Sequence, residues 1–388
     1  MEKLKIALLK QDVYQDLYVC PVTERDAATI LFSSMMRVGP IALMSDFGAD
    51  FYIVKEEPEA PETQIYKKVI PKLAHLLPLL KTRPLNKVPG FERWQLNTEH
   101  ANGDFAVGSR EVDWGQYDVV ISVNVSLPTD VVMQYPQTLF AYMIGEANMA
   151  TRRARFGYDV ALNQMARGRV TTELGGEVDF PYTFVGRDTL ERIMQGALGR
   201  QSKRNGVFVE INSVMKERGH VPPQFLPIQA AGYDIHLHQP LISDNLTAIY
   251  DSKYFVKIGG RNIRGNSVAE AVSLGTLAIM ERSQVTHGEL IIDECNVGTT
   301  EGVLSLINRL EQDDDLYNRL LEKQRQVLQR LFVEAPVQSL QGCLATKRQR
   351  GVPQRYTAWN RCQDRLYLAY QDAYNYMKKQ KRKLLNRK

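Results

Sequence analysis

Short apolar segments alternate along the chain with amphipathic segments of helical period. The first half contains apolar segments bounded by polar residues, which is typical of buried strands, at residues 5–11, 49–56, 117–126, 138–146 and 158–164. Residues 26–39 have helical spacing and end at Gly39. Strands that alternate with helices predict βαβ units and a parallel sheet.

A second alternating set follows a stretch of glycine and polar residues at 168–182, where we place a linker. Its predicted strands are residues 182–186, 206–212, 233–239, 253–259 and 276–280, and its predicted helices include residues 188–199, 267–275 and 315–332. The pattern therefore predicts an α/β protein of two Rossmann-like lobes, residues 1–180 and 181–335, with a ligand cleft between them.

The C-terminal segment, residues 336–388, contains a further helical pattern over about residues 357–383. One apolar stripe with intervals of three or four residues is formed by Trp359, Cys362, Leu366, Tyr370, Tyr374 and Met377. We expect this stripe to pack against another part of the protein.

Composition and charge narrow the possible functions. The net charge of +5 is mild, and seven of the eleven residues in 378–388 are Lys or Arg. The rest of the chain is close to neutral, which argues against a dedicated nucleic-acid binder. Two interpretations of the basic tail stay open, a solvated helix end and a contact with an anionic membrane surface or another polyanion.

The cysteines and the N-terminal segment predict a cytoplasmic protein. The four cysteines are scattered and form no C-x-x-C pair, so neither a zinc site nor a disulfide framework is expected. The N-terminal segment lacks the apolar core of a signal peptide, and no apolar run approaches the length of a membrane span.

The segment "KIGGRNIRGNS", residues 257–267, combines features that suit a phosphate ligand. It begins at the carboxyl end of a predicted strand, where ligands bind in open parallel sheets. Glycines such as Gly260 and Gly265 allow close approach of the backbone, and Arg261 and Arg264 match phosphate oxygens. The helix that begins near Asn266 and Ser267 presents free amides to an anion.

A structural interpretation of the same residues needs no ligand. Ser267 and Glu270 form an S-x-x-E pattern, which is typical of a helix capping box. In that case Arg261 and Arg264 are solvated loop charges.

The predicted strand, the basic glycine-rich loop and "NSVAEAVSLGTLAI" resemble the nucleotide-sugar-binding half of GT-B glycosyltransferases, and the exostosin-like branch is nearest. The resemblance covers about residues 180–335 and rests on Ser267, Glu270, Ala271 and Gly275. It implies that the loop, with Lys257, holds the diphosphate of the donor and that Glu270 bonds its ribose or sugar. It also implies a C-terminal helix that crosses back onto the first lobe.

Further donor contacts are suggested around this loop. Lys203 and Arg187 belong to two rival cation clusters that resemble the phosphate-binding pair of many GT-B enzymes, and each cluster is equally well explained as a solvated turn. His238 follows a predicted strand and is a candidate donor contact. It shares a strand face with His236, but a third metal ligand is missing, so we expect neither a metal nor a cofactor.

The resemblance implies transfer of a sugar from a nucleotide-diphosphate donor to a glycan or another hydroxyl acceptor. Two alternatives stay open, a nucleotide-sugar epimerase on the same architecture and a non-catalytic binding scaffold. Many retaining relatives carry two glutamates separated by seven residues. The equivalent positions around Glu270 are Asn262 and Ala278, and we therefore expect an inverting reaction.

An inverting reaction needs a base that takes the proton of the acceptor. The candidates in the first lobe follow predicted strands soon after their carboxyl ends, and they are Asp12, Asp130 and Glu146. Each of them, taken alone, is more simply explained as a helix cap or a solvated charge.

Overall fold

The computed structural model describes residues 4–11, 42, 46–55, 106–123, 127–144, 158–163, 176–179, 184–210, 220–239, 242–260, 262–263 and 265–350, together with nine helical positions between 359 and 380. Among these residues the strands form two separate parallel sheets with helices packed on them. The predicted α/β fold with one sheet in each lobe is confirmed.

The first sheet contains seven strands within the described residues, in the order β3-β2-β1-β4-β5-β6-β7, and every neighbouring pair is parallel. The strands are β1 (Ile6–Gln11), β2 (Asp50–Lys55), β3 (Ala106–Gly108), β4 (Val119–Val123), β5 (Leu139–Ile144), β6 (Val160–Asn163) and β7 (Gly176–Asp179). The strand order reverses between β1 and β4, which makes their carboxyl ends the switch point of this sheet.

The second sheet contains four described strands in the order β11-β10-β8-β9, again all parallel. They are β8 (Val207–Val209), β9 (Ile235–Leu237), β10 (Tyr254–Lys257) and β11 (Leu277–Met280). The strand order reverses between β8 and β10, and so the switch point of the second lobe lies where these two strands end.

The described α-helices are numbered in chain order. They are α1 (Thr129–Val132), α2 (Thr189–Leu198), α3 (Leu226–Ala230), α4 (Ile242–Tyr250), α5 (Asn266–Ser273), α6 (Thr300–Glu311), α7 (Asp314–Gln329) and α8 (Ala335–Arg350). A π-helix, Arg330–Glu334, joins α7 to α8. Among the described helices, none combines the length and the apolar character that a membrane crossing requires.

The largest apolar core is continuous between the two sheets. It includes Leu8 and Ile121 of the first sheet, Phe184 of the connection, Val256 of the second sheet and Leu340 of α8, and each of these side chains is buried. A smaller cluster around Trp114, Phe140 and Tyr158 covers the other face of the first sheet. Both faces of the first sheet are therefore covered, as a parallel sheet requires.

Strand β11 lies at an edge of the second sheet, and α7 covers that edge with a side-chain amide. The fully buried Gln324 accepts a hydrogen bond from the Ala278 amide at 3.0 Å and donates one to the Ala278 carbonyl at 2.7 Å. The side-chain amide of Gln324 thus makes the two hydrogen bonds with Ala278 that a neighbouring strand would otherwise make. It satisfies two backbone groups that would otherwise be buried without partners.

Helix α8 returns to the first sheet and is anchored there by a buried ion pair. Lys347 Nζ lies 2.6 Å from Asp159 Oδ2 and also donates to the Thr138 carbonyl at 2.6 Å. The Asp159 carboxylate accepts a further hydrogen bond from the Phe140 amide. Burial raises the pKa of Asp159 above its usual value, against the opposing charge of Lys347.

The segment that reaches the first sheet differs from the one that the sequence suggested. We expected the stripe in residues 357–383 to pack against the first lobe, whereas α8 at 335–350 makes that contact. The described side chains of the later segment are exposed, including Trp359, Leu366 and Tyr370. The correction has a physical reason: α8 offers Leu340 and Leu344 to the core together with a cation for Asp159.

Two short contacts join the lobes near the connection between them. Asp46 of the first lobe lies 2.6 Å from Arg192 of α2 and also accepts a hydrogen bond from Thr189. The rings of Phe47 and Phe184 lie 5.0 Å apart.

Most predicted strands are confirmed, with two differences around the connection. Residues 184–186 do not form a strand, and β7 lies inside the stretch that we assigned to a linker. The division of the chain at residue 180 stays a prediction.

Candidate functional site

At the switch point of the second sheet, Lys257 and Glu210 lie next to each other at the carboxyl ends of adjacent strands. The register pairs Tyr254 with Val207 and Val256 with Val209, so Lys257 and Glu210 end adjacent strands side by side. The Glu210 amide continues the ladder to the Val256 carbonyl at 2.9 Å. Because ligands of open parallel sheets bind beyond this point, the carboxyl ends of β8 and β10 define the candidate site.

Lys257 is a buried cation that supports the loop after β10. Its side chain is 3% exposed, and its ammonium donates to the Gly259 carbonyl and to Gln284 Oε1, the latter at 2.7 Å. Burial lowers the pKa of Lys257, while the negative charges of Glu210 and Glu281 oppose that shift. The ammonium therefore holds the start of the loop against the 281–286 segment and contributes positive charge beneath it.

The loop between β10 and α5 depends on glycine at three positions. Gly259, Gly260 and Gly265 have φ angles of 62°, 80° and 95°, in the left-handed region that other residues rarely adopt. A Cβ atom at Gly265 would lie 2.6 Å from Val285 Cγ2.

The middle of this loop is fastened to the segment that follows β11. The Ile263 amide donates to the Gln284 carbonyl at 2.8 Å, and the Thr286 amide donates to the Ile263 carbonyl at 3.1 Å. These bonds hold the backbone at Ile263, which lies between the two arginine positions in sequence. Arg261 and Arg264 themselves lie outside the described residues.

The N-terminus of α5 has no side-chain cap. Gly265 is the N-cap, Asn266 is the first helical residue and Ser267 is the second. A capping box requires a serine or threonine at the N-cap position, and so Ser267 and Glu270 do not form one. The cap residue therefore offers no side-chain hydrogen bond to the first turn of α5, and Glu270 is buried one turn further along.

His238 lies in the same row as Lys257 and Glu210. It follows β9, whose register with β8 places His238 beside Glu210. The neighbouring His236 is engaged elsewhere, because its Nδ1 lies 2.6 Å from Ser252 Oγ. Within the described residues, His, Cys, Asp and Glu side chains form no group of three that could hold a metal ion.

Arg187 lies beside α7. Its guanidinium is 2.9 Å from Glu322 Oε2, and its backbone amide donates to Gln329 Oε1 at 3.2 Å. It lines a cavity of about 580 Å³ together with Ile292 and Lys323. Because Glu322 already compensates its charge, Arg187 is less suited to a phosphate than an uncompensated arginine.

The cations that precede β8 lie at the amino end of the parallel strands, whereas Lys257 lies at the carboxyl end. Arg200 contacts both carboxylate oxygens of Asp251 at 2.7 Å, and Arg204 lies 2.5 Å from Glu191. Lys203 follows the same loop at the amino end of β8 and lines a separate cavity of about 510 Å³. The structure therefore does not bring Lys203 together with the loop, and the cation cluster stabilises the packing between α2 and α4.

The three base candidates receive unequal support. Asp12 and Glu146 lie outside the described residues, one residue after β1 and two residues after β5 in sequence. Asp130 lies in the first turn of α1, 2.7 Å from Arg110, and this arginine lowers the pKa of Asp130. A paired carboxylate of lowered pKa is a weak proton acceptor, which argues against Asp130 as the base.

Three polar residues of the site were not identified from the sequence. Glu210, Glu281 and Gln284 surround Lys257, and each follows a strand of the second sheet in sequence. Glu210 follows β8, and Glu281 and Gln284 follow β11, so their positions near the ends of predicted strands could have marked them as candidate site residues. The order of the strands, which makes them neighbours of Lys257, was not visible in the sequence.

No protein-family model matches the chain, and no curated protein matches it either. Among solved structures, the chain is similar to a β-glucosyltransferase named as a DNA modifying enzyme that uses uridine diphosphoglucose. The two chains share 12% identity over 88% of this chain and 100% of that chain, with a TM-score of 0.39.

Two other solved structures match this chain with comparable identity, coverage and TM-score. Sucrose-phosphate synthase from Thermosynechococcus elongatus is 12% identical over 89% of this chain and 98% of its own, with a TM-score of 0.35. A UDP-N-acetylglucosamine 2-epimerase is 12% identical over 83% of this chain and 91% of its own, with a TM-score of 0.34. Similarities at this level do not by themselves assign a family or a function to the chain.

Proposed function

We propose that this protein is a glycosyltransferase of the GT-B type, which moves a sugar from a nucleotide-diphosphate donor to a hydroxyl acceptor. The observation that carries the proposal is the uncapped N-terminus of α5. It follows a loop with three left-handed glycines and lies beside the switch point of the second sheet. This arrangement suits a diphosphate because backbone amides and the positive end of the helix face the same space.

The donor diphosphate lies across the loop at 259–267 in this proposal. Amides of the first turn of α5 bind phosphate oxygens, and Arg261 and Arg264 supply guanidinium groups from the same loop. Lys257 holds the loop and adds positive charge from below. Glu270 and His238 contact the ribose or the sugar.

Bond cleavage at the anomeric carbon releases a nucleoside diphosphate in this reaction. The negative charge that develops on the leaving diphosphate is stabilised by the helix terminus and by the arginines, without a metal ion or a cofactor in this proposal. The acceptor, a glycan or another alcohol, approaches from the first lobe. A single displacement inverts the anomeric centre, and a carboxylate of the first lobe takes the proton of the acceptor.

The finer assignments rest on the sequence. We propose the exostosin-like branch from the residues around Glu270 and Gly275, a cytoplasmic location from the cysteine usage, and an anionic membrane as a partner of the basic tail. Nucleic acid is not a partner in this proposal, since acidic residues slightly outnumber the cations outside the tail.

Donor binding tests the proposal directly. Titration calorimetry with uridine, guanosine and adenosine diphosphates identifies the nucleotide that binds. For that nucleotide, Arg261→Ala and Arg264→Ala are each expected to weaken binding by about 1–3 kcal/mol, the contribution of one charge-assisted hydrogen bond. Arg309→Ala, at the exposed end of α6, removes the same charge far along the chain from the loop and serves as the control.

Two results would contradict this site. Unchanged affinity in both loop variants excludes the loop as the diphosphate site, and a loss of affinity in Lys203→Ala instead assigns binding to the rival cation cluster. Incubation of the nucleotide sugar without an acceptor separates the remaining alternative. Conversion of the sugar to its epimer under that condition identifies an epimerase.

A further inference from the structure

The segment after α8 carries a row of exposed apolar side chains. Its described positions are helical, and the large apolar side chains among them are 61–67% exposed: Trp359, Leu366, Tyr370, Tyr376 and Met377. Their spacing places them on one side of a helix. We call this row the apolar face. An apolar surface of this length is unusual on a protein that is surrounded only by water.

The side chains of the apolar face do not suit a helix pair formed by two copies of this chain. Positions 359, 362, 366, 369, 373, 376 and 380 have the alternating three- and four-residue spacing of a coiled coil. They hold one leucine and no isoleucine or valine, together with two alanines, a tryptophan, a cysteine, a tyrosine and a glutamine. Such a mixture packs poorly into the regular holes of a coiled coil.

Charge gives the second indication. The segment that follows the apolar face contains seven Lys or Arg among residues 378–388 and no acidic residue. Two parallel copies would bring these like charges together, which opposes pairing. An anionic lipid surface attracts them. Trp and Tyr are also the side chains that favour the boundary between lipid and water, because each combines an apolar ring with a polar group.

We propose that the apolar face lies in the surface layer of an anionic membrane, with the helix parallel to the membrane plane. Apolar burial and the attraction between the tail and the lipid head groups act together in this contact. It goes beyond the proposed glycosyl transfer and does not depend on it. The protein is held at the membrane from one side and is not inserted across it.

The test is binding of the full chain to lipid vesicles. Vesicles of phosphatidylcholine with about one third phosphatidylserine are compared with vesicles of phosphatidylcholine alone. The anionic vesicles should bind the protein and shift the fluorescence of Trp359 to shorter wavelength, and this shift should be absent in Trp359→Phe. The triple variant Leu366→Ser, Tyr370→Ser, Met377→Ser should reduce binding by about tenfold or more.

Separate variants distinguish the two parts of the contact. Replacement of the seven tail cations by glutamine should remove the dependence of binding on salt. Leu226→Ser is the matched control, because Leu226 is also an exposed large apolar residue, at 47%, and lies on α3. It should leave binding unchanged.

Two outcomes overturn the proposal. The first is equal binding of the wild-type chain and the triple variant to anionic vesicles, which would assign the contact to the tail alone. The second is absence of vesicle binding together with a dimer in sedimentation that the triple variant abolishes. That result would show that a second copy covers the apolar face. All of these side chains are exposed, so the variants are expected to fold normally.

Discussion

Gly265 combines two requirements at a single residue. Its φ angle of 95° excludes most side chains, and a Cβ atom would overlap Val285 Cγ2 at 2.6 Å. The same residue is the N-cap of α5. A side chain at this position therefore disturbs the backbone of the loop and displaces the helix terminus from the segment that holds it.

Substitution of Gly265 should reveal both effects. Gly265→Ala is expected to lower the free energy of unfolding by about 2–4 kcal/mol, from backbone strain and overpacking together, and to weaken nucleotide binding. Gly199→Ala is the matched control. Gly199 has a φ angle of 61° with open space around its Cβ position, so its cost is backbone strain alone, about 1 kcal/mol. Urea unfolding and calorimetry measure the two effects, and equal costs for both glycines would contradict this account.

A cation that already forms an ion pair within the protein is less available to a ligand, and only the structure shows these ion pairs. The sequence presents Arg200, Lys203 and Arg204 as a compact basic cluster, and only the structure shows Asp251 and Glu191 opposite two of them. These partners are 13 to 51 residues away along the chain. The sequence shows that several cations are close together, but it does not show which acidic residues from distant parts of the chain form ion pairs with them.

At the scale of the elements, the carboxyl ends of β1 and β5 matter for the chemistry. Strand β1 borders the switch point of the first sheet, and Asp12 follows it directly, while Glu146 follows β5 by two residues. The carboxyl ends of parallel strands border the space in which open sheets bind ligands. We therefore expect the base among these strand ends.

Substitution of the strand-end carboxylates tests the base. Asp12→Asn or Glu146→Gln, whichever removes the base, should lower turnover by about 10²–10⁴-fold with unchanged donor affinity. Asp130→Asn should cause the smallest loss of the three, since Arg110 already holds that carboxylate. NMR of the product gives the anomeric configuration. A product that keeps the configuration of the donor excludes the single displacement and removes the need for this base.

The elements of both sheets were largely predictable, whereas their arrangement was not. Strands such as β4 and β10 are apolar, rich in β-branched or aromatic residues and bounded by polar ones, and these local properties are sufficient to identify them. The order of strands in a sheet depends on contacts between distant segments. For this reason Lys257 was identified with its loop, but its neighbours Glu210 and Glu281 were not.

At the scale of the whole molecule, the ion pair between Lys347 and Asp159 joins the C-terminal helix to the first lobe. Both side chains are about 90% buried, and the Asp159 carboxylate also holds the start of β5 through the Phe140 amide. Removal of one partner leaves the other charge buried without compensation, which is more costly than removal of both.

Lys347→Met should therefore lower the free energy of unfolding by about 3–5 kcal/mol at neutral pH. The double variant Asp159→Asn, Lys347→Met should recover a large part of that loss. Burial raises the pKa of Asp159 above 3.8 in the folded state. Protonation therefore favours the folded state, and the cost of Lys347→Met should shrink as the pH falls toward 3.8. Urea unfolding at several pH values measures this, and an equal cost in the single and double variants would contradict it.

The path of α8 also has a consequence for how the protein could be divided or recombined. A cut near residue 180 gives a first fragment that contains the first sheet and Asp159. This fragment lacks Lys347, the partner of Asp159, and also Leu340 and Leu344, which pack into the core. The second fragment then carries α8 with its apolar residues uncovered. Exchange of the first lobe between related chains would require exchange of residues 335–350 as well. The first lobe of this protein is therefore completed by α8, a stretch that is separate in sequence from the residues of the first sheet.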